Sequence, residues 1–159
     1  MAEQNGTETG PKPEFRMQKM YIKDLSFENP NAPSVFTAQQ TKEPAVEVNL
    51  QMNNKQVDEA HWEVSLQITA KVSAKEEEKI LFILEIEHAA IFMLRNIPQE
   101  HMAMLLGVDC PTLLFPFTRQ VVSQVSLDGG FVPFLMEPVN FMALYQNALK
   151  KKEAEGANN

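Results

Sequence analysis

A strict alternation of apolar and polar residues limits what this chain can fold into. Val46, Val48, Leu50 and Met52 alternate with Glu47, Asn49 and Gln51. Trp62, Val64, Leu66 and Ile68 alternate with Glu63, Ser65, Gln67 and Thr69, and Val72 keeps the same parity. A β-strand sends successive side chains to opposite faces, so each run builds one apolar row on one side of a sheet. The intervening QMNNKQVDEAH is rich in turn formers, which predicts a hairpin with a loose loop. A third run, Ile80 to Phe92, sets Ile80, Phe82, Leu84 and Ile86 on one face and mixes Leu81 and Ile83 with Glu85 and Glu87 on the other. An earlier run changes parity twice: Phe15 and Met17, then Met20 and Ile22, then Leu25 and Phe27. Such flips predict a bulge or a bend. The stretch ENPNAPSVFTAQQTKEP, with its three prolines, reads as a long loop.

After Phe92 the period lengthens. Asn96-IPQEHMAMLLGV predicts a helix with Asn96 as cap and Pro98 in the first turn. Gly107 and Pro111 interrupt it, and Pro116 offers a kink. The pattern resumes through Phe117, Val121, Val122 and Val125 and stops at Gly129 and Gly130. Pro138-VNFMALYQNALKKK predicts a final helix with Phe141, Leu144, Tyr145, Ala148 and Leu149 as its apolar stripe. Strands followed by helices give an α+β fold: a four-stranded antiparallel sheet covered on one face by two helices. Composition divides the chain into a disordered tail at 1–14, one domain at 15–150 and a flexible tail at 151–159.

The chemistry is sparse. A net charge of −7 argues against nucleic-acid binding and suits contact with basic partners. The lone Cys110 excludes an internal disulfide and fits a reducing compartment. With no secretory signal and no apolar run near the ~20 residues a bilayer needs, no membrane insertion and a cytoplasmic address are expected. His61, His88 and His101 are scattered, Cys110 sits among apolar neighbours in CPTLLFP, and Glu76, Glu77 and Glu78 are consecutive and point apart in a charged turn. Gly129-Gly130 lacks the strand-glycine-helix spacing of a phosphate loop. No catalytic constellation, metal site or cofactor is expected.

Two features remain. The Ile83, Glu85 and Glu87 row suits either a docking surface for a basic partner, an oligomer contact or an ordinary wet face. The stretch GGFVPFLMEPVNFMALY concentrates aromatic and methionine side chains on a loop and a short helix; it can close the core or stay open as an apolar binding groove. From these residues alone a small α+β enzyme or lipid carrier of thioesterase-like shape, or a purely structural oligomer, stays open.

YIKDLSFENPNAP at 21–33, IF at 91–92, LLG and CPTLLFPFTRQVV within 105–122, and GGFVPFLMEPVNFMALY at 129–145 occur in the order and spacing of one family. Together they resemble SecB, the bacterial export chaperone. HAAIF stands where that family usually carries two glycines before Ile-Phe. The resemblance implies a cytosolic homotetramer, a dimer of dimers. It implies an ATP-independent and cofactor-free protein that keeps unfolded secretory precursors competent for translocation and passes them to the SecA motor. It further implies a client-binding groove, placed here at Phe131, Phe134, Leu135, Phe141 and Tyr145 with Val48 and Leu50. An acidic surface for SecA falls at Asp24, Glu28, Ile83 and Glu85.

Overall fold

The computed structural model describes residues 10–39, 43–75 and 79–157. Most of the expected N-terminal tail and the Glu76–Glu78 turn lie outside them. Four strands form one sheet: β1 (Glu14–Glu28), β2 (Ala45–Gln56), β3 (His61–Ala74) and β4 (Lys79–Arg95). Their order is β1-β4-β3-β2, every neighbour antiparallel. The β2–β3 hairpin is tighter than the sequence suggests, because the ladder runs on from Ala45↔Ser73 to Gln56↔Trp62.

Cross-strand register assigns the two faces. Val48, Ala70 and Leu84 lie in one row, as do Leu50, Ile68, Ile86 and Leu25. This is the apolar face. The parity flips of β1 are two register shifts, between Met17 and Lys19 and between Ile22 and Asp24. Each adds a residue to β1 opposite a regular β4 and so returns the next apolar residue to the same side. Phe15, Met17, Met20, Ile22, Leu25 and Phe27 thereby all share the apolar face. Ala89 and Ala90 stand in an unbroken ladder and are fully buried, so the two alanines leave the strand regular.

The helical layer is α1 (Gln99–Met104), a π-helical turn (Leu105–Asp109), α2 (Cys110–Asp128) and α3 (Phe141–Ala157). Three local expectations are corrected. Asn96 is not the cap: it takes a left-handed φ of 56°, donates to the Lys12 carbonyl, and the helix starts beyond Pro98. Gly107 and Pro111 do not break the helix. The π turn takes in Gly107, which is how an extra residue enters a continuous helix, and Pro111 follows in the first turn of α2. Finally, α3 continues to Ala157 instead of ending at the three lysines, and of its apolar stripe only Phe141 is fully covered. Gly129 and Gly130 do end α2, Gly130 with φ 94°.

The core joins Leu66, Ile68, Leu84, Ile86 and Phe92 of the sheet to Leu106, Leu114, Phe115 and Val122 of the helical layer. Each such side chain contributes roughly 1.5–3 kcal/mol on burial. One buried polar pair crosses this interface: His88 Nδ1 of β4 lies 2.7 Å from Thr118 Oγ1 of α2. Burial holds the His88 pKa below its ordinary value of 6.5. The unfolded chain therefore takes up a proton near pH 6.5 that the native fold resists. Stability is full above pH 6.5 and falls as pH drops from there toward the lower native pKa. Thermal melts between pH 7.5 and 5 should show this decline, and His88→Gln should flatten it.

Candidate functional site

Two surfaces stand out, one on each side of the sheet. On the apolar side the loop 131–140 leaves α2 and crosses toward β2. Ser126, fully buried, pins it: its Oγ donates to the Ser123 carbonyl and accepts the Phe134 amide, both at 2.8 Å. The loop stands off from β2 and leaves an open trough of about 650 Å³ lined by Val46, Val48, Leu50, Phe134, Leu135, Met136, Pro138 and Val139, with Glu137 as its one charged residue. Val48 is 45% and Leu135 65% exposed, so apolar surface remains in contact with water. At the sheet side of the loop Phe82 packs on Phe27, Phe131 and Phe134, with ring centroids 4.9–6.4 Å apart, and Phe36 covers Phe131 at 5.2 Å.

Of the seven residues expected in a groove, Val48, Leu50, Phe134 and Leu135 surround this trough. Phe131 sits beside it in the aromatic cluster. The other two face elsewhere. Phe141 is a core residue, 2% exposed and edge-on to Phe115, which also helps floor a smaller depression next to Pro116 and Arg119. The Tyr145 ring lies over Gly107, where a Cβ would come within 3.0 Å of it. A helical stripe pointing at the π turn looks the same in sequence as one pointing at a groove. Val46 was missed although it shares the parity of Val48 and Leu50, and Met136 and Val139 were reachable through the loop.

The opposite side of the sheet is polar and charged, with a cluster of carboxylates where β1 meets β4. Register sets Asp24 against Glu87, Ser26 against Glu85 and Glu28 against Ile83 on the outer row of β1 and β4. The four residues expected there are thus brought together. Asp24, Glu85 and Glu87 line a shallow depression of about 260 Å³ with Asn49, Gln51, Gln67 and Thr69. At its upper edge Glu63 accepts from the Tyr21 hydroxyl and from Lys23 Nζ at 3.0 Å, and Lys23 also reaches Glu87 at 3.9 Å. These bonds, the Tyr21 one foremost, hold the Glu63 carboxyl below its usual range. Burial, then Glu63, pushes Tyr21 up to about 12.

Cys110 belongs to neither surface. Burial, reinforced by the charge of Asp109, raises its pKa to about 12, so its thiol stays protonated and unreactive at neutral pH. No helix among the described residues is long and apolar enough to cross a membrane.

A two-layer α+β subunit with an apolar trough on one side and a carboxylate-rich sheet on the other is a binding protein in form, and comparison with known proteins agrees. The model of the family described as preprotein translocase subunit SecB matches residues 8–152. This chain belongs to the SecB family and is a chaperone of protein export. It is 67% identical to the protein-export protein SecB of Desulfotalea psychrophila over 99% of this chain and 100% of that one. It is 44% identical to the SecB of Magnetococcus marinus over 98% of this chain and 97% of that one. Among solved structures, a SecB-like chaperone of Mycobacterium tuberculosis in complex with an antitoxin peptide shares the fold. Its TM-score is 0.64 at 11% identity, over 79% of this chain and 90% of that one.

Proposed function

We propose that the protein holds unfolded secretory precursors in the trough between β2 and the loop 131–140, without nucleotide, cofactor or catalysis, and hands them to the SecA motor through the acidic sheet face. The observation that carries this reading is the exposure of Val48 and Leu135 in a folded subunit. Each ~100 Å² of apolar client surface covered contributes roughly 2.5 kcal/mol before ordering costs. Several such patches on one precursor act together through effective concentration. A precursor that folds first hides what the trough needs, so selection is kinetic. Asp24, Glu28 and Glu85, with Ile83 among them, suit a basic docking segment bearing an apolar side chain.

The active form in this reading is a cytoplasmic homotetramer, a dimer of dimers, which joins several troughs into a longer apolar surface. Leu113 and Phe117 of α2 and Leu144 and Leu149 of α3 are exposed in the single chain and are available for that assembly. Residues 15–150 form the working domain in this account.

Diluting a urea-unfolded precursor into the protein tests the central point by native mass and refolding rate. A soluble complex and delayed refolding are expected. Absence of both would leave a carrier or a purely structural assembly as the better account.

A further inference from the structure

The second register shift of β1 has an electrostatic result. Ile22 faces the helices opposite His88, and Asp24 faces out opposite Glu87. Lys23, between them, is turned onto the same outer face as Asp24, where a regular strand would alternate. Its ammonium lies 3.0 Å from Glu63 Oε1 and 3.9 Å from Glu87 Oε1. Tyr21 fixes the other oxygen of Glu63, so the carboxylate that grips Lys23 is itself held in place. Among the described residues no ion pair reaches Asp24, Glu28 or Glu85. The ion pairs are thus unevenly spread over the carboxylates: Lys23 holds Glu63 and Glu87, and Asp24, Glu28 and Glu85 are the ones left to a partner's charges.

We infer that Lys23 is a resident competitor on the docking face, holding Glu63 and Glu87 until a lysine or arginine of the basic partner takes its place. This deepens the docking reading above and rests on it. An intramolecular ammonium needs no translational entropy to bind, so it sets a threshold. Isolated cations exchange with it poorly, whereas a segment carrying several positive charges engages Asp24 and Glu85 first and then displaces it. The exchange swaps one ion pair for another, so it costs little once the partner is seated, and the displaced Lys23 re-forms its pairs when the partner leaves. Weak, reversible docking follows, which suits a protein that must be released after each delivery.

The test measures binding of an oligolysine peptide at low ionic strength. Lys23→Met keeps the aliphatic stem and removes the competitor. It should tighten binding about two- to five-fold, the range for one exposed ion pair. Lys19→Met is the control: it removes the same charge from the same outer row, where Lys19 lies opposite Ile91 and makes none of these ion pairs. Tyr21→Phe, which frees Glu63, should shift affinity in the direction of Lys23→Met. Circular dichroism confirms that each variant is folded. Equal affinities for Lys23→Met and Lys19→Met would overturn the inference. Glu85→Lys separates it from its premise: if binding is lost there while the two lysine variants agree, docking stands and the competitor falls. If Glu85→Lys binds as the parent does, the docking face itself is wrong and the inference goes with it.

Discussion

An unfolded precursor diluted into the Val48→Asp, Leu135→Asp variant is expected to refold at its unassisted rate, with no soluble complex surviving gel filtration. The two residues sit on opposite walls of one trough, Val48 on β2 and Leu135 on the loop. Covering one such side chain fully contributes about 1.5–3 kcal/mol. Losing two, and asking a client to desolvate two carboxylates, lowers affinity by two or more orders of magnitude. Both side chains are already wet, so the fold has little to lose, and circular dichroism should be unchanged. That asymmetry makes the variant decisive. If it still arrests refolding, clients bind elsewhere on the molecule.

The second large effect concerns stability. Gly129 ends α2 with φ −74°, a conformation open to any residue, so backbone freedom does not explain a glycine there. Space does. A Cβ at Gly129 would lie 2.3 Å from Phe27 Cζ and 2.4 Å from Cε1. Phe27 cannot simply swing away, because it stacks on Phe82 at 5.3 Å and meets Phe131 at 6.3 Å. Gly129→Ala should therefore cost about 1–3 kcal/mol through overpacking. The melting temperature should fall by about 2–4 °C for each kcal/mol lost. Phe27→Leu in the same chain frees the room and should restore part of the loss. A Gly129→Ala protein as stable as the parent would mean that the aromatic cluster yields more easily than its contacts suggest.

The sheet was legible in the sequence because a strand writes its two faces into alternate letters. Even the irregular first strand announced its two shifts as changes of parity, at the places where Gln18 and Lys23 interrupt the row. The helical layer was less legible. Gly107 and Pro111 are strong breakers locally, yet the burial of Leu106, Val108 and Cys110 in the core holds the helix together through a π turn. Asp24, Glu28, Ile83 and Glu85 were named from the family resemblance, and the register sets them on neighbouring strands. The trough came out by halves. Apolar spacing cannot say whether a ring points to water or to another helix, and so Phe141, edge-on to Phe115, and Tyr145, over Gly107, were grouped with the residues of the trough. The Tyr21, Lys23 and Glu63 cluster could not have been found that way, because it joins strands that are 40 or more residues apart in the chain.

The trough runs along β2, and β2 is the last strand of its sheet. A long polymer therefore has no need to be threaded through the molecule end first. It can be laid in from the side at any point along its length and peeled away again from either direction. On the reading proposed above, unloading would then be a matter of competition: whatever grips the same chain more firmly takes it away.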